Sequence, residues 1–286
     1  MDKKERIEKP AWLKIKLQTT NNYIKVKKIV ELNNLHTICS SGKCPNAGDC
    51  WSRGTATFMI GGNVCTRSCK FCATATGKPL SLDREEPTKI ARSVKLMNLK
   101  HCVITSVDRD DLEDKGAEHW SATIKAIRKE NPCTTIEVLT PDFDARKDLL
   151  GIVFAAKPDI FSHNMETIRR LTPQIRSRAK YDVSLDVLRQ SSAAGILTKT
   201  GIMVGLGEKE EEVIELMKDV RNVGTGLFTI GQYLQPTKAN ISVAQWIKPE
   251  QFEKYKQIGI SLGFEHIESA PLVRSSYMAE NAVSIK

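Results

Sequence analysis

The sequence predicts an α/β protein with a parallel sheet, and two observations predict it. Short β-branched runs recur along the chain, and amphipathic stretches of helical period separate most of them. Such alternation pairs strands in parallel through right-handed crossovers. The first run is GTATFMI at 54–60. EPTKIARSVKLMNLK follows, with Ile90, Val94 and Met97 on one face, and leads to VITSV at 103–107. AEHWSATIKAIRKE repeats the pattern with Trp120, Ile124 and Ile127, ahead of TIEVL at 135–139 and DIFSH at 159–163. After TGIMVG at 200–205, EKEEEVIELMKDVRNV opens with acids that suit a helix N-terminus and continues with Val213, Leu216 and Val220. LFTIGQ at 227–232 and FEHIES at 264–269 complete about seven strands and about six helices. Periodicity fits a doubly wound sheet and a barrel equally. In both, ligand groups gather at the C-terminal ends of the strands. No Gly/Ser-rich linker or internal repeat divides the chain. One main domain at 54–269 is expected, with an extension at 1–53 and a C-terminal segment at 270–286.

Composition is ordinary for a globular protein, 41% hydrophobic and 27% charged over 286 residues. No apolar run approaches the roughly 20 residues of a membrane helix. The N-terminus, MDKKERIEKPAWLKIKL, has no apolar signal core and mixes acids with bases. The expected address is the cytoplasm, with no membrane partner. The net charge of +9 is spread along the chain. It fits a solvated basic surface, and it also fits attraction to nucleic acid, a nucleotide cofactor or an acidic protein.

In a reducing compartment, clustered cysteines serve as metal ligands or catalytic thiols more often than as disulfides. Six of the eight cysteines lie between Cys39 and Cys72. They form two triplets: CSSGKCPNAGDC, with Cys39, Cys44 and Cys50, and CTRSCKFC, with Cys65, Cys69 and Cys72. Cys102 reads as a buried core residue, and Cys133, at a loop, is assigned no function. Zinc knuckles favour paired C-x2-C units giving four ligands, and neither triplet has that form. Thiolates on compact spacings also hold iron–sulfur clusters, which usually take four. Three ligands leave one iron open, as a catalytic metal requires.

C-x3-C-x-aromatic-C directly after a first strand resembles the motif of radical S-adenosylmethionine enzymes, and the upstream C-x4-C-x5-C resembles the auxiliary-cluster motif of the lipoyl synthase family. Arg274, Ser275, Ser276 and Tyr277 match that family's R-S-S-Y signature. PAWLKIKL, GTATFMIGG, VITSVDRDDL, HNMET, SLDVL, GIMVGLGE and GQYLQPT also look like its segments, in order, so the resemblance covers nearly the whole chain. Met278, after the tyrosine, and a short 189–198 stretch depart from it and touch no ligand position.

The resemblance implies a partial (β/α)6 barrel, two [4Fe–4S] clusters and S-adenosylmethionine. Cys65, Cys69 and Cys72 would hold the cluster that cleaves the cofactor to a 5′-deoxyadenosyl radical. Cys39, Cys44, Cys50 and a serine would hold an auxiliary cluster that gives up sulfur. Ser276 is the expected serine, with Ser275 the fallback and Arg274 and Tyr277 as support. An oxygen ligand is weaker than thiolate for iron, which suits a cluster that must come apart. The implied reaction places two sulfurs, at C6 and C8, in an octanoyl chain on a lysine of a lipoyl carrier protein. That carrier would be the glycine cleavage H protein or a dehydrogenase E2 domain. A flavodoxin or ferredoxin donor and an iron–sulfur carrier for repair would be further partners.

Cofactor contacts are expected at strand ends: Phe71 in the cysteine loop, Thr105, Ser106, Asp108 and Arg109 in TSVDRDDL, Glu137 in TIEVLT, and Asn164 and Glu166 in SHNMET. His163 reads as a structural histidine. Gly201, Gly205 and Gly207 lack the Lys-Ser/Thr of a phosphate loop and would pack near the adenine through backbone. The competing expectations are a tRNA methylthiotransferase, for which the chain shows no RNA-binding module, and a non-enzymatic iron–sulfur carrier or zinc module, for which a closed four-cysteine set would be expected.

Overall fold

The structure, a computed structural model, describes residues 8–14, 20–53 and 57–276. Tyr277 and the first residues of GTATFMI, 54–56, lie outside the described residues. The N-terminal extension folds as α1 (Asn21–Leu32), β1 (His36–Thr37), α2 (Ile38–Ser41) and α3 (Ala47–Ser52). Side-chain caps start the first two helices: Thr20 accepts from the Tyr23 amide, and Thr37 from the Ser40 amide.

The barrel portion begins with β2 (Thr57–Ile60), then β3 (Val64–Cys65) and β4 (Ala75–Thr76), a small pair bracketing the cysteine loop. Strands and helices then alternate: α4 (Glu86–Met97), β5 (His101–Ser106), α5 (Ala117–Glu130), β6 (Thr135–Leu139), α6 (Lys147–Ala155) and β7 (Ile160–Ser162). They continue through α7 (Thr172–Ile175), α8 (Tyr181–Ala193), β8 (Leu197–Val204), α9 (Glu210–Asn222), β9 (Leu227–Gln232), α10 (Pro249–Ser261) and β10 (His266–Ser269). Proline at the first turn of α4 and α10 has no amide to lose there, and Asn98 in the left-handed region stops α4.

The main sheet runs β1-β2-β5-β6-β7-β8-β9-β10, parallel throughout except for β1 against β2. The order never reverses, so there is no switch point of a doubly wound sheet. The sheet is a partial barrel, and its edges, β1 and β10, do not pair. Its seven parallel strands are the seven runs of the sequence, β10 extending a six-strand arc by one. The antiparallel β1 is an addition. Alternate strand residues, such as Ile136 and Val138, pack outward among residues of the helical layer, including Trp120, Ile124 and Leu150. A second apolar cluster covers β8 and β9 with Leu188, Val213, Met217 and Phe252.

The two chain extensions meet. Ala270 N donates to Ile230 O at 3.2 Å and Gln232 N to Pro271 O at 3.2 Å, laying the C-terminal segment on β9. Asn46 Nδ2 then donates to Leu272 O at 2.7 Å and Thr57 Oγ1 to Ser276 Oγ at 2.9 Å. The segments flanking the two edge strands are thereby joined.

Candidate active site

A cavity of about 600 Å³ occupies the C-terminal mouth of the barrel. Cys65, Cys69 and Cys72 line it with Phe71, and Cys44 lines it with Arg274, Ser275 and Ser276. Thr105, Ser106, Asp108, Asn164, Glu166 and Gly201, all singled out from the sequence, also lie on its wall. Cys39 and Cys50 are not on the wall, yet each crowds its triplet partners electrostatically.

The cysteine loop 65–72 is gripped from three directions. Thr66 N donates to Asp108 O at 3.1 Å beyond β5, Lys70 N to Ile175 O at 2.9 Å, and Asn240 Nδ2 to Cys72 O at 2.7 Å. Arg67 anchors it from within. The residue is 7% exposed, and its guanidinium reaches Asp110 at 2.7 and 2.9 Å and both carboxylate oxygens of Asp142 at 2.8 Å. Backbone amides aim at the sulfurs: Arg67 N and Asp108 N lie 3.4 and 3.3 Å from Cys65 Sγ, and Thr74 N lies 3.4 Å from Cys72 Sγ. Such donors stabilise thiolate ligands and tune a cluster's potential.

None of the eight cysteines is in a disulfide. Burial pushes Cys65 up to about 12, helped by the nearby Asp108 carboxylate. Burial pushes Cys39 to about 11 and Cys50 to about 12, the latter reinforced by the neighbouring thiols. Buried thiols that crowd each other and receive amide donors are a donor set for a positive centre. Among the described residues no three His, Cys, Asp or Glu side chains converge enough to hold one metal ion. Cluster thiolates each take a different iron, so they stand wider apart than ligands of a single ion. The donor set therefore fits clusters.

The adjacent serines diverge. Ser276 Oγ accepts from Thr57 Oγ1, and the Thr57 backbone lies beside the Cys39 sulfur. Ser275 Oγ accepts instead from Asn164 Nδ2 at 2.7 Å, on the β7 side. Arg274 lies near Cys44, where its charge favours the thiolate.

Glu137 is a correction. It points into the barrel, but below the cavity: wholly buried, it accepts from Lys199 Nζ at 2.8 and 3.0 Å and from Ser162 Oγ at 3.0 Å. Burial opposes its charge, and Lys199 and His101 outweigh that, holding its carboxyl below the usual range. It is the floor of the site, not a cofactor contact. Arg109 is also structural, donating to the Gly61 and Leu80 carbonyls and to Asp111. His163 lines the cavity with both ring nitrogens engaged by the protein. Its Nδ1 donates to Thr140 O, so Nε2 accepts from Ser184 Oγ, and burial lowers its pKa to about 4.

Arg176 is the site residue that sequence reasoning missed. Buried on the cavity wall, it donates to Ser184 Oγ at 2.8 Å and Met165 O at 3.3 Å. It has no carboxylate within ion-pair distance among the described residues, although Glu166 and Cys69 feel its charge. Its surroundings, LTPQIRSRAK, carry several basic residues of which only the fold turns one inward.

The sequence profile of the Radical SAM superfamily matches residues 59–220. A lipoyl synthase of Parabacteroides distasonis (strain ATCC 8503) is 61% identical over 98% of this chain and 99% of its own length. One from Bacteroides fragilis (strain ATCC 25285) is 58% identical over 99% and 98%. Among solved structures, methylornithine synthase (PylB) superposes with a TM-score of 0.56 at 12% identity, covering 91% of this chain and 85% of its own. Streptococcus suis SuiB bound to S-adenosylmethionine gives 0.59 at 13% identity, with coverages of 86% and 62%. At such identities these two establish a common fold.

Proposed function

The chain belongs to the lipoyl synthase family of the Radical SAM superfamily, and on that premise we propose that its two cysteine triplets serve two clusters facing one cofactor cavity. The enzyme is a sulfurtransferase that inserts sulfur at C6 and C8 of an octanoyl chain on a lipoyl carrier protein, using [4Fe–4S] clusters and S-adenosylmethionine. When bound, one cluster supplies the electron that splits the cofactor and the other supplies the inserted sulfur. This chain's residues bind, orient and exclude water.

One observation carries the assignment of residues: thiols from both triplets line the same cavity. Cys65, Cys69 and Cys72 would hold the reducing cluster, three ligands leaving one iron for the cofactor. Cys39, Cys44, Cys50 and Ser276 would hold the auxiliary one. The placement of Ser276 beside Thr57 and Cys39, while Ser275 turns to Asn164, supports Ser276 over its neighbour. Asn164 and Glu166 offer an amide and a carboxylate to ribose hydroxyls. Phe71, Thr105, Ser106 and Asp108 shape the rest of the pocket, and Arg176 supplies a cation for the cofactor's carboxylate. Arg274 supports the auxiliary site, as Tyr277 would from the adjoining position. The same reading divides the chain at 54 and 269, since the auxiliary ligands lie outside the barrel on both sides.

The glycine cleavage H protein or an E2 domain would present the octanoyl-lysine, a flavodoxin or ferredoxin would deliver electrons, and an iron–sulfur carrier would restore the auxiliary cluster, all in the cytoplasm. No described helix is long and apolar enough to cross a membrane.

The test is anaerobic reconstitution with iron and sulfide, then S-adenosylmethionine, a strong reductant and an octanoyl-lysine peptide. The expected result is about eight irons per chain for two cubane clusters, a peptide that gains two sulfurs and loses two hydrogens, and two 5′-deoxyadenosines per product. Ser276→Ala should keep 5′-deoxyadenosine formation and lose sulfur insertion. Formation of 5′-deoxyadenosine without sulfur transfer by the unaltered chain would overturn the auxiliary assignment. A chain with intact clusters that made neither product would overturn the whole scheme.

A further inference from the structure

Asn164 uses both of its amide hydrogens. Nδ2 donates to Glu166 Oε1 at 3.0 Å and to Ser275 Oγ at 2.7 Å. Chemistry fixes this orientation, because the flipped amide would set its oxygen against a carboxylate oxygen. Asn164 is only 9% exposed, and its Oδ1 is buried with no hydrogen-bond partner. A buried acceptor left without a donor is destabilising and rare. It lies on the cavity wall where β8 carries Gly201: a Cβ there would stand 3.2 Å from Asn164 Oδ1 and 3.4 Å from Ser275 Oγ. Thr229 Oγ1 is nearer still, at 2.3 Å, so Gly201 is what lets these polar groups close together at the edge of the cavity.

Glu166 contributes strain to the same corner. Its φ is +65°, costly for a residue with a side chain, and it is held by Glu166 N donating to Gly201 O and Met203 N donating to Glu166 O. Strain that is fixed from both sides keeps its carboxylate where Asn164 needs it. On the other side of Asn164, Ser275 is covalently joined to Ser276, which faces Thr57 and the first triplet. Two neighbouring serines thus connect the cofactor wall to the auxiliary site.

We propose that Ser275 is a positioning residue: it holds Asn164 so that Oδ1 accepts from a cofactor hydroxyl, and through Ser276 it makes cofactor affinity depend on assembly of the auxiliary site. The coupling rests on Ser276 as an auxiliary ligand. By linkage it is reciprocal, so a bound cofactor also steadies the Ser276 segment until sulfur is drawn from the cluster.

Anaerobic titration calorimetry of S-adenosylmethionine against the full reconstituted chain tests this in four forms: wild type, Ser275→Ala, Cys39→Ala and the double variant. Ser275→Ala is expected to weaken binding about fivefold, the net worth of one hydrogen bond. Cys39→Ala, whose side chain is off the cavity wall, should weaken it by a similar factor. The double variant should be no weaker than either single, the mark of a shared path. Ser275→Thr keeps the hydroxyl and should restore most of the affinity. An unchanged electron paramagnetic resonance signal from the reducing cluster would show that the other wall is intact.

Wild-type affinity in Ser275→Ala overturns the proposal, and so do losses that multiply in the double variant. If Ser275→Ala does not fold, Ser275→Cys replaces it, and equal binding by the Cys and Thr variants overturns the positioning role. If Cys39→Ala retains both clusters, the auxiliary ligand assignment fails and the coupling with it, and Ser275→Ala alone decides the hold on Asn164.

Discussion

Arg67 sits between two cysteines of the second triplet, on the wall of the cavity, where it pairs with the wall carboxylates Asp108 and Asp142 and is nearly closed to solvent. Burial alone would push the Asp142 carboxyl up, but hydrogen bonds and charge from Arg67 hold it down at about 2, against an ordinary value of 3.8. A depressed carboxylate contributes stability above its unfolded pKa and loses it as pH falls through the folded one. The Arg67–Asp142 contribution is therefore complete above about pH 4 and fades toward pH 2. Arg67→Gln strands a nearly inaccessible carboxylate, for which about 3–5 kcal/mol of destabilisation is expected at pH 7. Urea midpoints measured from pH 7 to pH 2 should show both that loss and the disappearance of this part of the acid sensitivity. Arg67 was not legible as an anchor, because Asp110 and Asp142 approach it only through the loops after β5 and β6. The two cysteine triplets were legible as candidate donor sets, since spacing needs no fold, and the structure brings thiols of both to one cavity. Glu137 shows the limit of such reading. Strand alternation says inward, but which layer of the barrel it enters depends on register with Lys199.

At the scale of elements, that register places an ion pair under the cavity. Glu137 and Lys199 come from β6 and β8, with Ser162 of β7 between them, so three strands are tied at one level. Lys199→Met should cost about 3–5 kcal/mol by taking the lysine cation from a buried carboxylate that keeps only Ser162 and His101 beside it, and adding Glu137→Leu should recover most of it. Chemical denaturation of the single and double variants checks this, and the double variant should still bind S-adenosylmethionine as tightly as the parent.

On β9, Gly231 lets the C-terminal segment lie close. An added Cβ would stand 2.0 Å from Val273 O. Gly231→Ala should push that segment away, costing about 1–3 kcal/mol. Iron analysis should find the auxiliary cluster diminished while the reducing cluster stays. TIEVL and LFTIGQ matched β6 and β9 to the residue because β-branched runs bounded by polar turns leave little choice. The helix α8 was not drawn from periodicity, since its buried face includes Ser184 and Ser191 among Leu185, Val187 and Leu188. The two-residue β1 is too short to show any period.

For the molecule as a whole, the proposed division makes the barrel and the auxiliary site separable units of construction. Everything needed for the seven parallel strands ends at Ser269, whereas residues 270–276 supply the Asn46 acceptor and the Thr57 partner. A chain stopped after Ser269 should therefore melt cooperatively with its sheet intact. It should take up about four irons instead of about eight, one cubane instead of two. Circular dichroism and iron analysis decide it, and full iron content in the short chain would refute the division.

The links from Asn46 to Leu272 and from Thr57 to Ser276 span 226 and 219 residues of chain. On the ribosome, the first triplet emerges while most of the protein is still unmade, and the strands can begin to assemble from that end. The oxygen ligand assigned to Ser276 arrives last. Loading of the sulfur-donating cluster is thus a step that follows translation of nearly the whole message. A nascent or prematurely terminated chain holds at most three of its four anchors, so any chain carrying the complete centre has already been read through to its serine pair.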